Sequence, residues 1–140
     1  MGRRRVTGGE VRALCLSLPE ATEKATWGDS ENPGHPTFRV RDKIFVIMGT
    51  DETGASIKTS IDEQAALLSA FPDAARYAAY TGWFGWVDVA FAALPDEVLR
   101  ETIENAWART APKKVAAAWR KRCKLMGKPK ASQVRRRTVS

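Results

Sequence analysis

The sequence predicts an α+β fold in two layers, an antiparallel sheet of about five strands with helices packed on one face. Three observations carry this. Residues 36–46, PTFRVRDKIFV, alternate apolar and basic side chains, then pass through a polar break into an unbroken apolar run. That is the pattern of a half-buried strand and its buried hairpin partner. Helical spacing of apolar residues marks both ends of the chain, and hairpin-linked strands between them imply antiparallel pairing.

The elements follow in order. Thr7-Gly8-Gly9-Glu10 has capping-box spacing, and Val11, Leu14, Cys15 and Leu18 recur at helical intervals until Pro19, which predicts a first helix over about 8–18. Glu23–Trp27 reads as a strand, and 28–36 is dense in turn formers and reads as a surface loop. The hairpin spans 37–41 and 43–49, with Phe38 and Val40 facing the core, and a short strand follows at 55–59. Ser60-Ile61-Asp62-Glu63 repeats the capping-box spacing and opens a second helix to about Ala70. Tyr77–Tyr80 reads as a short strand or extended link, and 83–93 as the clearest late strand. Pro95-Asp96-Glu97 suits a helix's first turn, and Pro112 separates that helix from a last one over about 113–123. Trp107 and Trp119 fall on the apolar faces of these helices, whereas Trp27 and Trp83 border glycine-containing turns. The element order is thus helix, three or four strands, helix, one or two strands, two helices.

At 140 residues with 44% hydrophobic content, the chain suits one ordinary domain. We divide it into a basic extension (1–7), an α+β domain (8–123) and a basic tail (124–140) that is disordered when free. No apolar run approaches the about 20 residues that span a bilayer, and no signal peptide is evident. The expectation is a cytoplasmic monomer.

The net charge of +7 is unevenly placed. Residues 1–5 carry three basic groups and 121–140 carry eight, neither with an acid; subtracting these eleven from 23 leaves 12 basic against 16 acidic residues in the body. A basic tail on an acidic body points to polyanions held largely without sequence readout.

Enzymatic signatures are missing. The single histidine, His35, lies in a Gly-His-Pro loop and reads as an exposed polar residue, which leaves neither a metal-ligand set nor a nucleophilic triad. Phosphate-loop glycine spacings are absent too. Cys15 reads as a buried hydrophobe and Cys123 as an exposed thiol, with no disulfide framework. No cofactor is expected.

Leu18-Pro19-Glu20, Trp27-Gly28, Pro36–Phe45 and Gly85-Trp86-Val87-Asp88-Val89 together resemble the MmcQ/YjbR family, as do Asn105-Ala106-Trp107 and Ala111-Pro112-Lys113-Lys114. The resemblance covers about residues 8–120. It departs from the family at the polar insertion 29–34 and at Ala78-Ala79-Tyr80, where a proline is common. It implies a small cytoplasmic bacterial domain of CyaY-like or secretion-chaperone-like fold. It also implies DNA binding, a role assigned to the family from a double-wing reading of its architecture.

The expected function is non-enzymatic: nonspecific DNA or RNA binding through the tail residues Lys124, Lys128, Lys130, Arg135, Arg136 and Arg137, assisted by an open sheet face. That face would carry Thr37, Arg39 and Arg41 on one strand, Lys58 on another, and Trp86 with Asp88 on a third. A ring among cations can stack a base while the cations meet phosphates. Simple solvation of Arg39 and Arg41, or pairing with Asp88, is the bland reading of the same residues. A protein- or small-ligand-binding adaptor using the sheet face, with an incidental tail, is the alternative function.

Overall fold

A helix, α1 (Gly8–Ser17), leads into a four-strand meander: β1 (Ala21–Thr26), β2 (His35–Val40), β3 (Lys43–Met48) and β4 (Gly54–Lys58). Then come α2 (Ile61–Ala70), β5 (Ala75–Tyr77), a single 3-10 turn (Gly82–Phe84), β6 (Trp86–Ala90), α3 (Asp96–Thr110) and α4 (Lys113–Leu125). The structure is a computed structural model that describes residues 6–31, 34–79 and 81–125. The expected two-layer α+β architecture is what it shows, with six strands rather than about five in the order β1-β2-β3-β4-β6-β5. The additional strand is β5, three residues at the sheet edge. The expected tail beyond Leu125, the first five residues and Tyr80 lie outside the described residues.

Local chemistry accounts for the boundaries. At the start of α1, Thr7 Oγ1 accepts from the Glu10 backbone N–H at 3.1 Å, and Glu10 Oε1 accepts from the Thr7 N–H at 3.1 Å. The full capping box therefore forms. At α2 only half of it forms. Ser60 Oγ accepts from the Glu63 N–H at 3.0 Å, but the Glu63 carboxylate turns to α3 and takes Arg109 and Asn105 at 3.2 Å each.

The β2–β3 hairpin turns through Arg41 and Asp42, both at positive φ (52° and 66°), as a two-residue turn of matching twist requires. Beyond it, Phe38 pairs with Val46 but Arg39 pairs with Ile44, so Phe45 is an extra residue in β3. This bulge sends both Phe45 and Val46 into the core and leaves Ile44 and Ile47 half-buried on the opposite face.

Every strand pair is antiparallel, and one cross-strand row crosses the whole sheet: Lys24, Thr37, Ile47, Ser56, Asp88, Arg76. The alternate positions Phe38, Val40, Val46, Met48, Ile57 and Val87 are completely buried, packed with Leu99, Ile103 and Trp107 of α3 and Val11 and Cys15 of α1. Each large side chain so buried contributes about 1.5–3 kcal/mol. The Trp107 indole N–H donates to the Pro19 carbonyl at 2.9 Å, tying α3 to the α1–β1 junction. Trp119 of α4 packs edge-on against Trp107 at 5.2 Å between ring centroids, as the helical spacing of both residues requires. The helices thus cover one face, and the row from Lys24 to Arg76 lies on the other.

Candidate nucleic-acid interface and the open sheet face

Strand direction sorts the proposed residues. Lys58 ends β4 and Trp86 begins β6, and the two are register partners on the open face, both half-buried. Directly opposed side chains have Cβ atoms about 4.5–5.5 Å apart, so the ammonium stem and the indole are neighbours. Arg39 shares the open face, but β3 and β4 separate it from Trp86. At about 4.8 Å per strand it stands about 10 Å from Lys58.

The Arg39 guanidinium is held by hydroxyls of β1 and β2. Its Nη2 donates to Thr26 Oγ1 at 3.0 Å and its Nε to Thr37 Oγ1 at 3.2 Å. Thr37 is on the expected face but is fully covered, its hydroxyl donating to the Lys24 carbonyl at 2.6 Å.

Arg41 does not share that face, contrary to the alternation. Strand β2 stops at Val40, so Arg41 falls in the turn, where its guanidinium forms an ion pair with Glu20. That bond holds the Glu20 carboxyl below, and the Arg41 guanidinium above, its ordinary range. Asp88 pairs with neither arginine; it accepts from the Ser56 hydroxyl.

Of the nine Lys and Arg in residues 6–112, four pair with a carboxylate among the described residues. Arg12 forks onto Glu52 at 3.1 Å and reaches Glu23 at 2.9 Å, which raises its pKa, while Arg100 meets Glu104 and Arg109 meets Glu63. Helix α4 is different. Lys113, Lys114, Arg120, Lys121, Arg122 and Lys124 are all exposed, the helix contains no acid, and none of the six pairs with a carboxylate among the described residues. The basic tract therefore begins at Lys113 rather than in the tail. Lys128, Lys130, Arg135, Arg136 and Arg137 lie outside the described residues.

At the end of the sheet away from Lys58 and Trp86, a groove of about 530 Å³ opens on the same face. Ile47 lines it, with Ser56, Asp88 and Arg76 of the same cross-strand row, and the Gly49–Gly54 turn and His35 close one end. His35 is half-buried, with Nδ1 3.2 Å from the Met48 carbonyl, so it is less free than an exposed loop histidine. Sequence reading did not find this groove. Its lining comes from five strands, and only the register of the whole sheet brings the residues together. Among the described residues there is no group of three or more His, Cys, Asp or Glu side chains placed to hold a metal. No described helix is long and apolar enough to cross a membrane.

Burial pushes the Cys15 thiol up to about 12, which makes it an unreactive core side chain at neutral pH.

An antiparallel sheet with one open face and helices on the other, the last of them basic and without carboxylate partners among the described residues, describes the class of protein. The YjbR family model matches residues 16–109, and the chain belongs to that family. The same fold occurs in the crystal structure of the Deinococcus radiodurans protein DR2400, of domain DUF419, at 20% identity and a TM-score of 0.64. That match covers 74% of this chain and 77% of the other, and at such identity it shows the fold alone. Among curated proteins, none matches the chain.

Proposed function

We propose that this YjbR-family chain is a non-enzymatic protein that holds DNA or RNA by its phosphate backbone, through α4 and the basic tract that continues from it. One observation carries the reading. From residue 113 to residue 140 the sequence holds eleven Lys and Arg and no Asp or Glu, and the six in α4 are exposed and have no carboxylate partner among the described residues. Cations already tied to carboxylates gain little from phosphate; free ones release the counterions condensed on a nucleic acid and so bind with a steep salt dependence. The end of α3 is tied to the end of β4, since Arg109 Nη1 donates to the Lys58 carbonyl at 3.3 Å, and α4 follows α3 directly in the chain. The sheet residues that assist are therefore Lys58 and Trp86, while Arg41 is neutralised by Glu20 and takes no part.

Fluorescence anisotropy with labelled DNA over a range of salt tests this. Six α4 contacts correspond to a log–log slope of about −5, steeper with the tract beyond Leu125. Changing Lys113, Lys114, Lys121 and Lys124 together to Gln should flatten the slope by about 3–4. Binding by the full chain that ignores salt, or no binding, would sink the proposal. The open-face groove supports a second reading, a small polar ligand recognised by Arg76 and Asp88. Salt-insensitive ligand binding lost in Arg76→Ala would favour it.

A further inference from the structure

The 3-10 turn between β5 and β6 displays two large rings to solvent. Trp83 is 71% exposed and Phe84 66%, and they lean on each other with centroids 5.1 Å apart and planes at 59°. Rings so exposed gain little for the fold, and an exposed aromatic patch marks a contact surface.

The backbone beneath them is firmly held. Gln64 of α2 donates from Nε2 to the Gly82 carbonyl at 2.6 Å and to the Trp86 carbonyl at 2.8 Å. The Thr59 backbone N–H donates to the Gly85 carbonyl at 3.0 Å, and the Thr59 hydroxyl donates to the same oxygen. Within the turn, Gly82 donates to Ala78 at 2.8 Å and Gly85 to Gly82 at 2.9 Å. Gly82 is buried directly under the Tyr77 ring, which a side chain there would have to displace. The turn is thus a fixed mount for two exposed rings.

Its neighbours supply charge. Lys58 lies one residue before Thr59 and opposite Trp86. Arg109 is hydrogen-bonded to the Lys58 carbonyl, and exposed Lys113 and Lys114 follow within one turn of α4. The acids on this side are exposed Asp62, buried Glu63, which Arg109 already takes, and Asp88 two residues along β6 from Trp86, which accepts from the Ser56 hydroxyl. The balance at this edge remains cationic.

Fixed aromatic faces beside cations suit unpaired bases, which stack on the rings while their phosphates meet the lysines. In a duplex the base faces are occupied by neighbouring bases, so the rings would find no partner. We infer that the Trp83–Phe84 turn is a stacking platform that makes this protein prefer single-stranded to double-stranded nucleic acid. The inference rests on the nucleic-acid reading of α4 and specifies its ligand.

The experiment titrates the full chain and its Trp83→Ala, Phe84→Ala and Trp83→Phe variants with a labelled oligothymidylate and a duplex of equal length at one salt concentration. Both aromatic positions are exposed, and unchanged melting temperatures would confirm intact folding. Each Ala variant should lose roughly tenfold or more in single-strand affinity. Duplex affinity should stay constant, and Trp83→Phe should retain most of the single-strand affinity.

Equal wild-type affinity for single strand and duplex overturns the platform but leaves the α4 reading standing. So does single-strand affinity indifferent to Trp83→Ala and Phe84→Ala. Absence of any binding to either oligonucleotide overturns both and reassigns the exposed rings to a protein partner.

Discussion

Cys15 lies completely buried on the inner side of α1, and loss of solvation, with a smaller repulsion from Glu23, moves its thiol from an ordinary 9.0 up to about 12. In the unfolded chain the same thiol ionises near its ordinary value. Between these two pH values the folded state keeps a proton that the unfolded state releases. Stability is therefore unaffected by this group below pH 9.0 and falls as pH rises toward 12, by about 1.4 kcal/mol per unit. At about pH 10 the loss due to Cys15 is about 1.4 kcal/mol. Urea unfolding of the wild type and of Cys15→Ala, at neutral pH and at about pH 10 under reducing conditions, isolates it. The cavity left by the substitution and the titration of Cys123, lysines and tyrosines appear in both differences and cancel. Wild type should lose about 1.4 kcal/mol more than the variant between the two pH values. Equal losses would show that Cys15 ionises as freely folded as unfolded, and the packing of α1 on the sheet described above would be wrong.

Four further substitutions probe the scaffold of the candidate interface. Gly85 sits at φ +100°, with the Thr59 carbonyl where a Cβ would go, so Gly85→Ala should cost more than about 2 kcal/mol in chemical denaturation. A neutral result would detach the 3-10 turn from β4. Arg109→Met strands the buried Glu63 carboxylate with Asn105 alone and should destabilise by about 1–3 kcal/mol, whereas Arg41→Met, which breaks an exposed pair, should leave the melting temperature unchanged. Comparable shifts for the two would contradict the difference in burial. Trp107→Phe removes the bond to the Pro19 carbonyl and part of a fully buried ring, for a loss of about 1–3 kcal/mol measured by urea unfolding.

Much of the fold was legible because its signals are local. The capping box at Thr7, the alternation around Phe38 and the apolar run of β3 each act within a few residues, and each marks its element in the structure. Parity was less secure. Alternation assigns faces within a strand, but a turn ends it, and the Arg41–Asp42 turn removed Arg41 from the face that Arg39 keeps. The bulge at Phe45 is similarly invisible, since an unbroken apolar run has no period to interrupt. Edge strand β5 is only three residues long and carries no pattern of its own.

The site was partly legible. Lys58 and Trp86 do meet, whereas Arg39 stands apart because β3 and β4 lie between it and Trp86, a fact of sheet order rather than of spacing. The display of Trp83 and Phe84 had a signal in their position between Gly82 and Gly85, since bulky rings inside a glycine-bounded turn have little core to enter. The basic helix was legible as charge, but only the structure shows that all six of its cations are exposed and without a carboxylate partner among the described residues.

Strand order has a consequence for how the molecule opens. The chain adds β1 to β4 one beside the next, but β5 cannot join the sheet until β6 has docked on β4, because β6 is the strand it pairs with among the described residues. Three residues at an edge, secured on one side, are released at a lower free-energy cost than the meander behind them. The 3-10 turn does not share that weakness, since Gln64 and Thr59 bind it to α2 and β4. Its Thr59 and Gln64 bonds survive the detachment of β5, so its amide protection follows the second helix and the central strands rather than the edge. The border between slow and fast exchange accordingly falls between Tyr77 and Gly82, within one short stretch of chain.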